Sequence, residues 1–138
     1  MKIIGIDYGD TRTGLAISDS EERMAFSIGA VTAKTIDSAV LQVAEKIKEN
    51  GAQKAVLGLP KNMDGSEGFR AEKTRKFAAA LAIQFPQMPI EFLDERLTTR
   101  AAQFYLNETN TRGKKRKNTV DTVAAQIILQ DYLDRNRQ

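Results

Sequence analysis

The chain contains no cysteine, which excludes a disulfide framework and any thiolate metal site. Histidine is absent as well. That removes the commonest general base, the commonest zinc ligand, and every serine–histidine or cysteine–histidine mechanism. No apolar run approaches the roughly 20 residues that a spanning helix needs. The start also lacks a basic-then-apolar signal pattern, so a cytoplasmic address and no membrane partner are expected. Internal repeats, low-complexity tracts and Pro/Gly-rich linkers are missing too, and any internal domain boundary would be arbitrary. An enzyme written in this alphabet must work with carboxylates, hydroxyls, lysines, arginines or a bound ion.

What is present is ordinary globular material. The 138 residues are 41% hydrophobic and 28% charged. That suffices for one core, so residues 1–138 are expected to form a single domain. The net charge is +3, but it is unevenly spread. From Arg96 to Gln138 there are nine Lys/Arg against four Asp/Glu, whereas the first 95 residues hold twelve against fourteen. Much of the excess is Arg112-Gly113-Lys114-Lys115-Arg116-Lys117. A short cationic block beside a helix suits a phosphate backbone, although a solvated loop would look the same.

Lys2–Tyr8 is short, apolar and isoleucine-rich, the signature of a strand buried on both faces. Gly9-Asp10-Thr11-Arg12 is a turn, Thr13–Ser18 a second strand, Asp19–Arg23 a turn, and Ala25–Thr32 a third strand. Turns this short make the three strands antiparallel neighbours. The period then changes. Ile36, Val40, Val43, Ala44 and Ile47 form one helical stripe that Asn50-Gly51 ends. Lys54–Leu59 reads as a buried strand, Ser66 as the N-cap of a helix through Phe77 and Leu81, and Ile90–Leu93 as a fifth strand. Helices are expected from about Thr98 and from Asn118. Right-handed crossovers then give an α/β, ribonuclease-H-like fold: a five-stranded mixed sheet of order 3-2-1-4-5, strands one to three antiparallel, with helices on both faces.

Three acids stand out. Asp7 ends an apolar strand, at the edge where α/β sheets place their ligands. Buried there, it needs a donor, a cation or a metal, unless it merely caps the turn at Gly9 or Asp10. Glu95 follows the fifth strand and would leave the same edge; an ion pair with Arg96 or Arg100 is its structural alternative. Asp94 is weaker, because the pleat turns it the other way. Asp121 lies beside Val120, Val123, Ala124 and Ile127. If Asn118 caps the helix, Asp121 is the third residue and serves the helix dipole. Three converging carboxylates without His or Cys suit a hard cation, Mg²⁺ or Mn²⁺. Two such ions, about 3.5–4 Å apart, would clamp both oxygens of an in-line phosphodiester displacement. The segment Asp7-Tyr8-Gly9-Asp10-Thr11 also resembles the first phosphate loop of sugar kinases and actin-like ATPases, but those close a cleft between two such domains.

Four blocks together carry a closer resemblance. They are Ile6-Asp7-Tyr8-Gly9 with Arg12 and Gly14, Gly58-Leu59-Pro60 with Asn62 to Gly68, Asp94-Glu95-Arg96-Leu97-Thr98-Thr99, and Asp121 with Ala124-Ala125 and Ile127-Ile128-Leu129. In this order, from Lys2 to about Leu133, they resemble the YqgF/RuvX family. The resemblance implies a ribonuclease-H-like fold, a cytoplasmic bacterial setting and a nuclease that processes the 5′ end of pre-16S rRNA. An older description of the family is a Holliday-junction resolvase, similar to the RuvC enzymes. It also places the family's acidic positions on Asp7, Glu95 and Asp121. Nucleases of the wider superfamily often show a fourth acid on the last helix, where this chain has Ala124 or Ala125.

The expected function is therefore a Mg²⁺- or Mn²⁺-dependent endonuclease acting on structured RNA. A resolvase-like DNA endonuclease and a non-catalytic assembly factor stand as alternatives. Phosphate contacts are expected from Arg12, Lys61, Asn62, Ser66, Arg96, Lys114, Lys115, Arg116 and Lys117. Tyr8 is either a base-stacking residue or an ordinary wall residue. A weak homodimer stays open.

Overall fold

The computed structural model describes residues 1–95 and 113–136, apart from the side chains of residues 113–122. The elements are β1 (Ile3–Asp7), β2 (Arg12–Ser18), β3 (Ala25–Thr32), α1 (Ile36–Asn50), β4 (Lys54–Leu59), α2 (Phe69–Gln84), β5 (Ile90–Asp94) and α3 (Gly113–Arg135). The five strands form one sheet of order β3-β2-β1-β4-β5, the order the sequence predicts. β1 pairs antiparallel with β2 and parallel with β4, and β4 pairs parallel with β5.

Alternation along the central strands sorts side chains into two cores. Ile4, Ile6, Leu15, Ala55 and Leu57 pack with Val40, Val43 and Ile47 of α1 and Phe77 and Leu81 of α2. Ile3, Ala16, Ala25 and Val56 pack on the other face with Ala125, Ile128, Leu129 and Leu133 of α3. Each face of the sheet is thus covered by helix, and β1 is buried from both sides. A register shift opposite Leu15 and Ala16 leaves Ile28 as an extra residue in β3. That bulge exchanges the faces of the strand, so Ala25 joins the α3 core while Val31 joins the other.

The ends of α1 follow local rules. The Thr35 side chain accepts a hydrogen bond from the Ser38 N–H, and Gly51 closes the helix at φ 67°. At α2 the expectation fails. The helix starts at Phe69 with Gly68 as its cap and no side-chain cap bond. Ser66 turns back instead: its N–H and its hydroxyl both donate to Asp64 Oδ1, at 2.9 and 2.6 Å.

The last helix also differs from the sequence reading. It begins at Gly113, not Asn118, so Lys114–Lys117 form its opening turns rather than a flanking loop. Lysine and arginine are good helix formers, and nothing in that run stops the helix. Asp121 becomes the ninth helical residue, too far from the start to serve the orphan N–H groups as an N3 acid would. The helix expected from Thr98 lies outside the described residues.

Two glutamines of α3 fasten it to the outer edge of β3. Gln126 Nε2 donates to the Ala25 carbonyl at 3.0 Å, and the Ala25 N–H donates to Gln130 Oε1 at 2.9 Å. Gln130 Nε2 also donates to the Arg23 carbonyl. At the opposite end of the sheet, Lys54, Glu91 and Tyr132 tie β4, β5 and α3 together. Lys54 Nζ lies 2.8 Å from Glu91 Oε2 and 4.9 Å from the Tyr132 ring centre, and the Tyr132 hydroxyl donates to the same carboxylate.

Candidate active site

The parallel strands β1, β4 and β5 end at one edge of the sheet, the edge where α/β folds gather ligands. Asp7 is the last residue of β1. Ile3 belongs to the α3 core and Ile4 and Ile6 to the other, so the pleat places Asp7 with Ile3 and Gly5 on the α3 side. β5 obeys the same alternation. Leu93 packs into the α3 core, and Glu95, two residues on, reaches the same side. Its carboxyl carbon lies 3.2 Å from the point a Cβ would occupy on Gly58. Asp94 is turned to the opposite side by the pleat.

Gly58 stands between the two acids. It pairs with Leu93 of β5, and continuing the Ile6–Leu57 register by one residue sets it level with Asp7 on β1. Asp7 and Glu95 therefore flank a residue of β4 that has no side chain of its own and lies beneath Ile128.

Helix α3 runs antiparallel to β1. Tyr132, near its end, meets Glu91 and Lys54 where β5 and β4 begin. Ala125 and Leu129 lie over Gly5, and Ile128 over Gly58. Asp121 is one turn before Ala125, on the stretch of helix directed toward the edge that carries Asp7 and Glu95. Its side chain is outside the described residues. No group of three potential metal ligands occurs among the described residues, so the described part of the site is a pair of carboxylates. Carboxylate oxygens are the donors that a hard divalent cation takes.

Of the expected phosphate contacts, Arg12, Lys61, Asn62 and Ser66 lie on segments that leave or enter strands at this edge. Arg12 opens β2 and alternates with Gly14 and Ala16, which puts it on the α3 side with Asp7. Lys61, Asn62 and Ser66 belong to the loop between β4 and α2. There Asn62 Nδ2 donates to the Ser66 hydroxyl at 3.0 Å and the Asn62 N–H to the Ser66 carbonyl at 2.8 Å. These polar groups hold the loop's own shape. The loop is anchored further by Glu67, whose carboxylate accepts from Arg75 Nε and a terminal guanidinium nitrogen at 2.6 and 2.8 Å. The Arg75 guanidinium in turn lies 4.9 Å from the Phe92 ring centre. Lys114, Lys115, Arg116 and Lys117 occupy the opening turns of α3, with side chains outside the described residues. Arg96 is outside them altogether.

Tyr8 faces away from the acids. Its ring stacks on Phe77 at 4.8 Å, which makes it a wall residue of the α1/α2 core. Burial lifts its hydroxyl above the usual phenol range, the Asp10 charge adds to the rise, and Lys73 opposes it. Beside it, Tyr8, Gly9, Asp10, Arg70, Lys73 and Thr74 line a cavity of about 90 Å³. Lys73 Nζ bonds Asp10 Oδ1 there at 3.0 Å. Sequence reasoning treats Gly58 only as part of a motif. The available signal is a glycine inside an otherwise apolar strand, which marks a close approach.

The family described as "RuvX: Holliday junction resolvase" matches residues 1–135. A relative from Chloroflexus aggregans, named "Putative pre-16S rRNA nuclease", is 42% identical over 135 residues, covering 98% of this chain and 94% of its own. A second of the same name, from Leuconostoc citreum, is 40% identical over 139 residues, covering 99% and 96%. Among solved structures, the Fowlpox virus resolvase in complex with Holliday junction DNA superposes with TM-score 0.62 at 11% identity, covering 100% of both chains. Thermus thermophilus RuvC in complex with a Holliday junction substrate gives TM-score 0.62 at 14% identity, covering 98% of this chain and 95% of that one. At such identities the structures establish the shared ribonuclease-H-like fold. The family model and the relatives go further: this chain belongs to the RuvX family.

Proposed function

We propose that the protein is a metal-dependent endonuclease that cleaves a phosphodiester bond in structured RNA, the 5′ region of pre-16S rRNA. The observation that carries the reading is the pairing of Asp7 and Glu95 on one side of the carboxyl edge, across Gly58. With Asp121 on the helix descending toward them, these acids would hold Mg²⁺ or Mn²⁺. When bound, the cation supplies Lewis-acid chemistry: a more acidic water and a neutralised phosphoryl oxygen. The chain's own residues fix the donors, with β1 holding Asp7 and β4 supporting Glu95. Arg12, Lys61, Asn62, Ser66, Arg96 and Lys114–Lys117 are the proposed contacts to the polynucleotide backbone, which set register rather than sequence. The names of the relatives support pre-16S rRNA as the substrate. Among the described residues no helix is long and apolar enough to cross a membrane; a cytoplasmic address is part of the proposal, since that is where such an RNA is found.

A second reading keeps the chemistry and changes the substrate to branched DNA. It is favoured by the family's description and by the junction-bound resolvases that share the fold. One experiment separates the readings. Pre-16S leader RNA and a four-way DNA junction are offered with Mg²⁺ to the parent and to Asp7→Asn. The expected result is RNA cleavage by the parent alone. Junction cleavage alone would select the second reading, and equal activity of the two proteins would reject the site. No cleavage of either substrate would favour a binding factor.

A further inference from the structure

We infer that Gly58 is a positioning residue for the acidic site: the slot left by its missing side chain sets where the Glu95 carboxylate stands. This rests on the reading of Asp7 and Glu95 as cation ligands. A Cβ at Gly58 would meet three atoms: Ile128 Cδ1 at 2.5 Å, the Glu95 carboxyl carbon at 3.2 Å and Ile128 Cγ1 at 3.3 Å. Carbon atoms in comfortable contact stand about 3.5–4.0 Å apart. The Glu95 carboxyl group therefore occupies space that any other residue type at this position would claim.

The location makes the slot consequential. Gly58 is buried, and it lies on β4 between the strand that carries Asp7 and the strand that leads to Glu95. Neighbouring strands are about 4.8 Å apart, so the flanking backbones are separated by about 10 Å. Two carboxylates reaching inward from that span leave room for a hydrated cation only if the floor between them is low. Glycine supplies that floor. A methyl group would drive the carboxyl group outward by a few tenths of an ångström or more. Metal and catalytic constellations tolerate misplacement of only about 0.5 Å. Ile128, fully buried, fills the other side of the slot, so an added methyl group presses on both side chains at once.

The test uses Gly58→Ala alone and combined with Ile128→Val, which removes the Cδ1 atom responsible for the worst clash. Mn²⁺ binding to the full chain is followed by electron paramagnetic resonance, with thermal unfolding as a check on packing and Glu95→Gln as the reference. We expect Ile128→Val to restore most of the melting temperature lost in Gly58→Ala. Mn²⁺ affinity should stay about tenfold or more below the parent's in the double variant, the scale on which supporting residues act. In cleavage assays kcat should fall with little change in KM. If the double variant binds Mn²⁺ as the parent does while Glu95→Gln does not, the positioning role is overturned and the ligand reading stands. If Glu95→Gln binds as the parent does, the ligand reading itself falls, and the inference with it.

Discussion

Gly5 and Leu129 meet where helix α3 crosses the central strand. A Cβ on Gly5 would stand 2.7 Å from Leu129 Cβ and 3.1 Å from the Ala125 carbonyl oxygen. The helix thus rests directly on the backbone of β1, two residues from Asp7, through Ala125 and Leu129, which lie about one and two turns from Asp121. This close approach sets the height of α3 above the sheet.

Gly5→Ala is expected to lift the helix, because both opposing atoms belong to or adjoin its backbone. Overpacking of this kind costs about 1–3 kcal/mol. Urea denaturation should show a lower midpoint, and Mg²⁺-dependent cleavage should fall more than the drop in stability explains. An unchanged midpoint would mean that the helix slides freely and does not fix the position of Asp121.

Cation binding should stabilise the fold through the acids that hold it. At a Mn²⁺ concentration near 100 times the dissociation constant, the gain is about 2.7 kcal/mol for one site. Differential scanning fluorimetry should therefore show an upward shift for the parent that vanishes in Asp7→Asn and in Glu95→Gln. A shift of equal size in all three proteins would place the cation elsewhere.

The fold was legible because its periodicities are clean. The three antiparallel strands, the α1 stripe and the strand order all follow from alternation, helical spacing and short turns. The placement of Asp7 and Glu95 at one edge was legible because Asp7 ends one parallel strand and Glu95 follows another. Two local errors share a cause. Ser66 and Asn118 have the side chains of caps, but the chain found other uses for those segments. Asp64 takes the Ser66 hydroxyl for the turn, and the lysine-rich run continues the helix past Asn118. Capping residues say that a helix end is available, not that it is taken. The bulge at Ile28 and the slot at Gly58 arise from packing between distant segments, which no local pattern reports.

The Lys54–Glu91–Tyr132 cluster should contribute to stability over a defined range of pH. The hydrogen bond from Lys54, joined by that from Tyr132, holds the Glu91 carboxyl below its usual range. Burial pulls Lys54 downward, but its bonds to Glu91 and Tyr132 more than offset this and leave it raised. A depressed carboxylate stabilises the fold above its unfolded pKa, and that contribution is lost as pH falls through its folded value. A raised lysine stabilises below its unfolded pKa and loses its effect as pH climbs through the folded one. Glu91→Gln should accordingly flatten the dependence of melting temperature on pH in the acid range while changing cleavage at neutral pH little. An identical acid limb in parent and variant would show that the cluster does not stabilise the fold.

The cationic opening of α3 predicts a salt signature. Replacing Lys114, Lys115, Arg116 and Lys117 by Gln should weaken RNA binding about equally across sequences. The slope of log affinity against log salt should become shallower by about 0.7–0.9 for each phosphate that is no longer neutralised. Fluorescence anisotropy at several salt concentrations measures it. An unchanged slope would assign the run to solvent.

The glutamine pair on α3 has a consequence for assembly. An outermost strand normally offers unpaired amides and carbonyls to any passing chain, and such an invitation leads to sheet extension or aggregation. Here the invitation is withdrawn at Ala25, where side-chain amides from the protein's own last helix imitate the missing neighbour. A second copy seeking to add a strand there would first have to evict Gln126 and Gln130, and in doing so would unfasten the helix that carries Asp121.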